Sequence, residues 1–124
     1  MILADTVIWI KHLRESNQRL ASLLSRSEVV MHPKVLGELA CGSLAHRTLR
    51  LRQWRNMPQL DSVSDDTAME FIERHSLMSR GLGFIDVHLL AACAAQLGTR
   101  LWTRDRRLAN AARTFDLGFP RDHA

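Results

Sequence analysis

The sequence is poor in cysteine and has no long apolar run, and these two absences exclude several classes of protein. Cys41 and Cys93 are the only cysteines, and neither has a second cysteine or a histidine at metal-clip spacing. We therefore predict two buried, reduced thiols on helix faces and no disulfide framework. No apolar segment is long enough to span a bilayer, and the first residues lack the basic lead of a signal peptide. A cytoplasmic protein is expected.

Proline is also scarce, and Pro33, Pro58 and Pro120 stand alone rather than in a linker. The chain contains no repeat and no low-complexity tract, so its 124 residues are predicted to form one domain, residues 1–124. Hydrophobic residues make up 46% of the sequence, which is enough for a core and excludes a disordered tail.

Lysine is nearly absent although the chain is basic. The formal net charge is +4, and Lys11 and Lys34 are the only lysines, so almost all the positive charge is on arginine. Arginine presents a planar set of donors that suits phosphate. A nucleic-acid partner is therefore favoured, although a basic surface could also keep the protein soluble or match an acidic protein.

The hydrophobic pattern alternates between strands and helices along the chain. Strands are predicted at residues 1–4, 28–31, 60–63, 100–103 and 115–119, the last of them at a sheet edge. Helices are predicted at residues 6–13, 18–24, 33–42 and 44–54, after a cap at Asp65 or Asp66, and at residues 84–97 and 105–113. This order predicts an α/β fold of three layers, with a central parallel sheet of four to five strands and helices on both faces.

Four acidic residues fall at or near the carboxyl edge of that sheet, where ligands bind in such folds. Asp5 follows the first strand, Glu38 lies in the helix after the second, Asp86 begins the 84–97 helix, and Asp105 follows the 100–103 strand. Clustered carboxylates repel one another unless a cation such as Mg²⁺ offsets their charge. The combination predicts metal-dependent phosphodiester hydrolysis. Taken singly, the aspartates could instead cap helices, and Glu38 could lie on a solvated face.

Four segments carry a family resemblance: ILADTVIWI, HPKVLGELACG, GLGFIDVHLLAACA and LWTRDRRLANAA. Over essentially the whole chain, their order and spacing resemble the PIN-domain nucleases, and more closely the VapC-type toxins of bacterial toxin–antitoxin pairs. The resemblance implies a PIN-like fold and an endoribonuclease that needs Mg²⁺ (or Mn²⁺) and cuts structured RNA such as tRNA or rRNA. It also implies a cognate antitoxin that holds the toxin inactive, and a homodimer.

The same resemblance implies that the catalytic and metal-binding residues are Asp5, Glu38, Asp86 and Asp105. Thr6 and Thr103 are implied as hydroxyl groups that support the site. The family can carry a further acidic residue just beyond the last one, but Arg106 and Arg107 stand there in this sequence. Four carboxylates and no fifth are therefore expected.

Arginines are candidates for contact with RNA at two places. Arg47 and Arg50 share a face of the 44–54 helix, where they either bind RNA phosphates or lie on a solvated face. The second place is the last acidic position, which is flanked by Arg104, Arg106 and Arg107. At least one of these three is expected to face the phosphate, unless it pairs with a neighbouring carboxylate.

The large aromatic and histidine side chains are expected to have structural roles. Trp9 and Trp102 are predicted to pack in the core rather than to stack on bases. His88 could transfer protons, and the other histidines, His32 among them, are predicted at the surface or its boundary. No histidine is assigned a catalytic role.

Two other functions remain open on the residues alone. A phosphatase that forms an aspartyl-phosphate usually has a second aspartate two residues after the first, and Val7 occupies that position here. The second alternative is a catalytically inactive PIN-like module that binds RNA or protein. The complete set of four acids disfavours that alternative.

Overall fold

A parallel sheet of three strands lies at the centre of the protein, whose computed structural model describes residues 1–120. Strand β1 (Ile2–Ala4) pairs on one side with β2 (Val29–Val30) and on the other with β3 (Arg100–Trp102). Every residue of β1 is buried, although successive side chains point to opposite faces of a sheet. Both faces are therefore covered, as expected for a parallel sheet between layers of helices.

Seven helices cover the sheet within residues 1–120: α1 (Thr6–Glu15), α2 (Gln18–Ser25), α3 (Pro33–Ala40), α4 (Arg47–Arg55), α5 (Asp65–His75), α6 (Phe84–Ala95) and α7 (Arg106–Thr114). The chain leaves β1 for one neighbour, β2, and then crosses back to the other neighbour, β3, so the connections after β1 and after β2 run in opposite directions. This change of direction leaves a crevice between the carboxyl ends of β1 and β3. None of the helices in the described residues is long and apolar enough to cross a membrane.

The sheet has fewer strands than the four to five that the sequence predicts. The segment predicted as a strand at residues 60–63 contributes only an isolated parallel bridge, between Gln59 and Met31. Pro58 has no N–H with which to continue this ladder towards the start of β2. The 115–119 segment likewise contributes one bridge, between Gly118 and Leu101. Its first residues close the end of α7 instead, because the Leu117 N–H donates to the Ala112 carbonyl at 2.8 Å.

Several helix ends also differ from the prediction. Helix α5 is capped by Ser64, whose hydroxyl accepts from the Thr67 N–H at 3.0 Å, and not by Asp65 or Asp66, which lie in its first turn. Helix α4 begins at Arg47 and not at residue 44, because His46 adopts a left-handed conformation with φ of 53°. Pro33 opens α3 as predicted. These differences arise where a cap or a left-handed residue, rather than hydrophobic spacing, sets the boundary.

The core contains the aromatic residues that were predicted there, but two other burial predictions were wrong. Trp9 and Trp102 are buried, as predicted. Cys93 is buried, whereas Cys41 follows α3 and is exposed. His32 is fully buried rather than at the surface, because it caps α3 with its Nδ1 atom, which accepts from the Lys34 N–H at 3.0 Å.

Candidate active site

Asp5 stands at the carboxyl end of β1 and is held from both sides of the crevice. Its Oδ1 accepts from the Thr6 N–H at 2.7 Å and so caps α1, and its Oδ2 accepts from the Thr103 hydroxyl at 2.8 Å. The Asp5 N–H itself donates to the Trp102 carbonyl at 2.8 Å. The backbone and both carboxylate oxygens of Asp5 are therefore fixed against β3 and α1.

Glu38 reaches the same place from the second turn of α3. The Thr6 hydroxyl donates to Glu38 Oε1 at 2.8 Å, and this contact joins residues 32 positions apart in the sequence. Thr6 is buried, while Glu38 is exposed. Thr6 therefore connects the first two acids, since its N–H binds Asp5 and its hydroxyl binds Glu38.

The other two acids also cap the helices to which they belong. Asp105 Oδ1 accepts from the N–H groups of Arg107 at 2.9 Å and Leu108 at 3.1 Å, at the start of α7. Asp86 Oδ2 accepts from the Gly83 N–H at 2.9 Å, at the start of α6. These caps use one oxygen of each carboxylate and fix the direction of the other.

The charges of these acids act on one another. Burial raises the pKa of the Asp5 carboxyl, and the nearby charges of Glu38 and Asp105 raise it further, against hydrogen bonds from Thr103 and Thr6 that lower it. Burial also raises the pKa of Asp86, the charges of Asp5 and Asp105 add to that effect, and the Gly83 N–H opposes it. The structure therefore brings all four acids predicted as site residues to one edge of the sheet.

Three helix N-termini partly offset this negative charge. Asp5 and Asp105 are the N-caps of α1 and α7, Asp86 lies in the first turn of α6, and the N-terminus of each such helix carries about half a unit of positive charge. The dipoles favour charged carboxylates here, whereas burial and mutual repulsion disfavour them. The pKa of Asp5 and of Asp86 is raised, with burial as the largest cause.

The donor set at this edge suits a hard divalent cation. Within residues 1–120, no three acidic, histidine or cysteine side chains converge closely enough to ligate one metal ion directly. Mg²⁺ does not need such a cage, because it commonly binds one or two carboxylates and keeps several waters. Four carboxylates that repel one another, two of them with raised pKa, fit an ion held in this way.

Comparison with known proteins agrees with the arrangement of these elements. The sequence profile of the PIN domain matches residues 2–114. The chain belongs to the PIN-domain family. It is also 44% identical over 111 residues to the protein named Ribonuclease VapC32 in two strains of Mycobacterium tuberculosis, CDC 1551 / Oshkosh and ATCC 25618 / H37Rv, and the match covers 90% of each chain. The resemblance to VapC-type proteins therefore extends over nearly the whole length of this PIN domain.

The arginines proposed as RNA contacts lie in different surroundings in this PIN domain. Arg47 donates to the carbonyls of Ala40 at 2.6 Å and Gly42 at 3.2 Å, and so holds the end of α3. Arg50 donates through Nε to the Ala45 carbonyl at 3.2 Å. Both are thus fixed by main-chain acceptors, and Trp54 on the same helix is buried.

The basic residues around the last acid are exposed. Arg107 lies across Gly81, whose φ is +76° and where a Cβ atom would overlap the arginine side chain. Arg107 thus contacts the loop that leads to Asp86. Within the described residues, neither Arg106 nor Arg107 forms an ion pair with a carboxylate.

Two further residues have surroundings that the sequence did not predict: His88, considered above for proton transfer, and Arg14. His88 is buried, and its Nε2 lies 2.8 Å from Asp65 Oδ1, so it joins α6 to α5. Arg14 lines a groove beside Glu38 together with Ile10 and Leu13. The sequence could have indicated the position of Arg14, because Arg14 follows Ile10 by four residues and the two therefore lie on one face of α1.

Proposed function

We propose that this PIN domain, residues 1–124, is a Mg²⁺- or Mn²⁺-dependent endoribonuclease and the toxin of a type II toxin–antitoxin pair. The proposal rests on one observation above all: Asp5, Glu38, Asp86 and Asp105 share the carboxyl edge of the sheet and act on one another electrostatically. Membership of the PIN-domain family and the 44% identity to proteins named Ribonuclease VapC32 support it.

The acids have distinct roles in this proposal. Asp5, Asp86 and Asp105 would hold the cation directly or through water, and Glu38 would either hold it or orient a water. A bound cation lowers the pKa of a water and neutralises charge that develops on the scissile phosphate. Thr6 donates to Glu38 Oε1, so the other oxygen of this carboxylate, Oε2, is the one we assign to the cation or to the attacking water.

The threonines act as positioning residues rather than as ligands. Thr103 donates to Asp5 Oδ2, and its oxygen also accepts from the Asp105 N–H at 3.1 Å. It thereby fixes the first and last acids relative to each other, which shortens the rearrangement needed when substrate arrives. Water attacks in line with the leaving oxygen, and the products carry a 5′-phosphate and a 3′-hydroxyl.

The partners follow from the VapC-type resemblance. The substrate is structured RNA such as tRNA or rRNA, cut in the cytoplasm, and Arg47, Arg50, Arg104, Arg106 and Arg107 are candidates for contact with it. A cognate antitoxin inhibits the enzyme, and the toxin forms a homodimer. Sequencing of RNA ends after brief expression without the antitoxin identifies the cleaved RNA and tests the activity at once.

Asp5→Asn is the sharpest test of the site. Asparagine can still cap α1 through its Oδ1 atom, but it removes the negative charge, so cleavage should fall about a thousandfold or more without loss of the fold. Asp116→Asn is a matched control, because Asp116 is exposed and adopts a left-handed φ of 55° that asparagine tolerates. Cleavage by Asp5→Asn at the parent rate would refute the assignment. A parent protein that cuts no RNA with Mn²⁺ would favour an inactive binding module.

A further inference from the structure

A groove runs from Glu38 along the surface between α1, α3 and the loop that joins α3 to α4. Its volume is about 380 Å³, within the range of roughly 300–1,000 Å³ typical of sites for small organic groups. Its floor is apolar and is formed by Ile10, Leu13, Leu39 and Leu44. Two positive side chains, Arg14 and Arg50, also line it. We call this surface the arginine groove.

The charged side of the arginine groove is held in place by the backbone. Arg50 is half-buried, and its Nε atom donates to the Ala45 carbonyl at 3.2 Å, which ties one donor of its guanidinium to the main chain. Its charge reaches the neighbouring His12, whose pKa is lowered mainly by burial and also by Arg50. Arg47 has a different role, because it donates to the carbonyls of Ala40 and Gly42 and so holds the loop that follows α3.

We infer that the arginine groove binds the nucleotide next to the scissile phosphate of a single-stranded RNA segment. The base lies on the apolar floor, and its phosphate lies against Arg14 and Arg50. This inference rests on the proposed nuclease function, since it takes the acidic edge as the place where the bond breaks. Arg14 and Arg50 are then specificity-determining contacts outside the set of acids.

Three observations favour this occupant. Glu38 lines the groove as well as the acidic edge, so the two surfaces are continuous and one strand can contact both. Its charge is complementary to phosphate, because both charged side chains beyond Glu38 are arginines, whose planar donors pair with phosphate oxygens. An apolar floor beside a basic edge is the arrangement that proteins use for unpaired nucleotides, since every base has an apolar face.

The test measures RNA cleavage and its salt dependence in arginine variants. The substrate is a short, fluorescent single-stranded RNA with Mn²⁺, and the variants are Arg14→Gln, Arg50→Gln and the pair together. We expect each single change to raise KM about fivefold with kcat unchanged, because it removes one charged contact to the phosphate. Each should also reduce the slope of log affinity against log salt by about 0.7.

Arg26→Gln is the matched control for net charge. Arg26 lies at the end of α2, beside the amino edge of the sheet, and its nearest ion-pair partner is Glu28 at 3.5 Å. This variant loses the same charge far from the groove, so its KM and salt slope should equal those of the parent. Arg50→Gln also loses the bond to Ala45, and melting curves show whether it folds. If Arg50→Gln does not fold, the Arg14→Gln variant alone still tests the inference.

Abasic substitution tests the floor separately. Replacing one nucleotide beside the cleaved bond by an abasic unit should raise KM for the parent, and this effect should shrink in Leu44→Ala. Unchanged KM and salt slope in both arginine variants, with a parent that cuts RNA, would overturn the inference. Variants that lose binding to a protein partner but cut RNA normally would also overturn it, because the groove would then hold a peptide. Failure of the proposed function appears differently, as a parent that cuts nothing.

Discussion

Single residues at the acidic edge combine two roles that the sequence presents as alternatives. Asp5, Asp86 and Asp105 each accept a hydrogen bond from a backbone N–H at a helix start, which is ordinary capping. The same three carboxylates lie within electrostatic reach of one another. The two roles coexist because a helix that follows a parallel strand starts at the edge where ligands bind. Capping therefore does not argue against a function for these acids.

His32 is a second residue whose surroundings determine its chemistry. It is fully buried, and burial, with smaller effects from His88 and Lys34, lowers its pKa from 6.5 to about 4. Its Nδ1 atom must stay unprotonated, because it accepts the capping bond from the Lys34 N–H. The folded protein therefore holds a neutral imidazole at position 32 under conditions where an unfolded chain would protonate it.

This difference predicts a loss of stability on mild acidification. Since the folded pKa lies below the unfolded one, the unfolded state binds more protons as the pH falls from 6.5 towards about 4. The contribution of His32 to the free energy of unfolding should drop by about 2 kcal/mol between about pH 7 and pH 5. Urea denaturation at both pH values measures it.

His32→Asn should remove most of this pH dependence, because asparagine also caps helices and does not titrate. Its absolute stability will be lower, since asparagine is smaller than histidine, so the comparison is between the pH dependences. His46→Asn serves as the control, because His46 is exposed and left-handed. An equal pH dependence in the parent and in His32→Asn would show that His32 does not cause it.

At the scale of elements, one arginine joins α2 to the segment after α7. The Arg19 guanidinium lies 4.0 Å from the ring centre of Phe119 and 5.5 Å from that of Trp102, and the two rings are 5.3 Å apart. Its Nη1 atom donates to the Pro120 carbonyl at 2.7 Å. These contacts hold the segment that makes only one bridge to β3, between Gly118 and Leu101.

Arg19→Ala should therefore loosen this segment. Loss of the contacts between the cation and the two rings should lower the free energy of unfolding by about 1–2 kcal/mol. The Phe119 amide, which donates to the Leu101 carbonyl at 3.0 Å, should exchange its hydrogen faster. Arg26→Ala on the same helix should cost less than about 1 kcal/mol, because its ion pair with Glu28 is exposed. Equal effects of the two substitutions would contradict the role of Arg19.

For the whole molecule, the acidic edge couples stability to metal. Carboxylates whose pKa is raised by burial and by one another destabilise the folded state at neutral pH, and a cation removes that cost. Mn²⁺ should therefore raise the free energy of unfolding by about 2.7 kcal/mol at a concentration one hundred times its dissociation constant. Thermal denaturation across a Mn²⁺ titration measures this.

Asp5→Asn should change both the stability of the metal-free protein and its stabilisation by Mn²⁺. Without metal it should be more stable than the parent at neutral pH, because the folded pKa of Asp5 lies above its unfolded value of 3.8. That advantage should shrink as acidification protonates Asp5 in the parent. With metal, the variant should gain less than the parent. An Asp5→Asn protein that responds to Mn²⁺ as the parent does would show that Asp5 takes no part in metal binding.

The fold was predictable where hydrophobic spacing sets it. The central strands were predicted at residues 1–4, 28–31 and 100–103, and the structure has them within those bounds because all their residues except Arg100 are buried. A sheet of four to five strands is not confirmed, since the described residues form three strands, and residues 60–63 and 115–119, which have the composition of strands, each make one bridge with their neighbours. Whether such a segment pairs further depends on the other hydrogen bonds that its backbone makes. In the 115–119 segment, the Leu117 N–H donates to the Ala112 carbonyl at the end of α7.

The sequence by itself determined the order of strands and helices, the placement of three aspartates beside strand ends or helix starts, and the placement of Glu38 within the helix after the second strand, because these follow from local periodicity and capping. Only the tertiary structure decided that Thr103 binds Asp5 across 98 positions, that Thr6 binds Glu38, that His32 is buried, and that Arg14 and Arg50 line one groove. The physical reason is that periodicity reports which face of an element is buried. Contacts between distant residues depend on how those faces pack against each other.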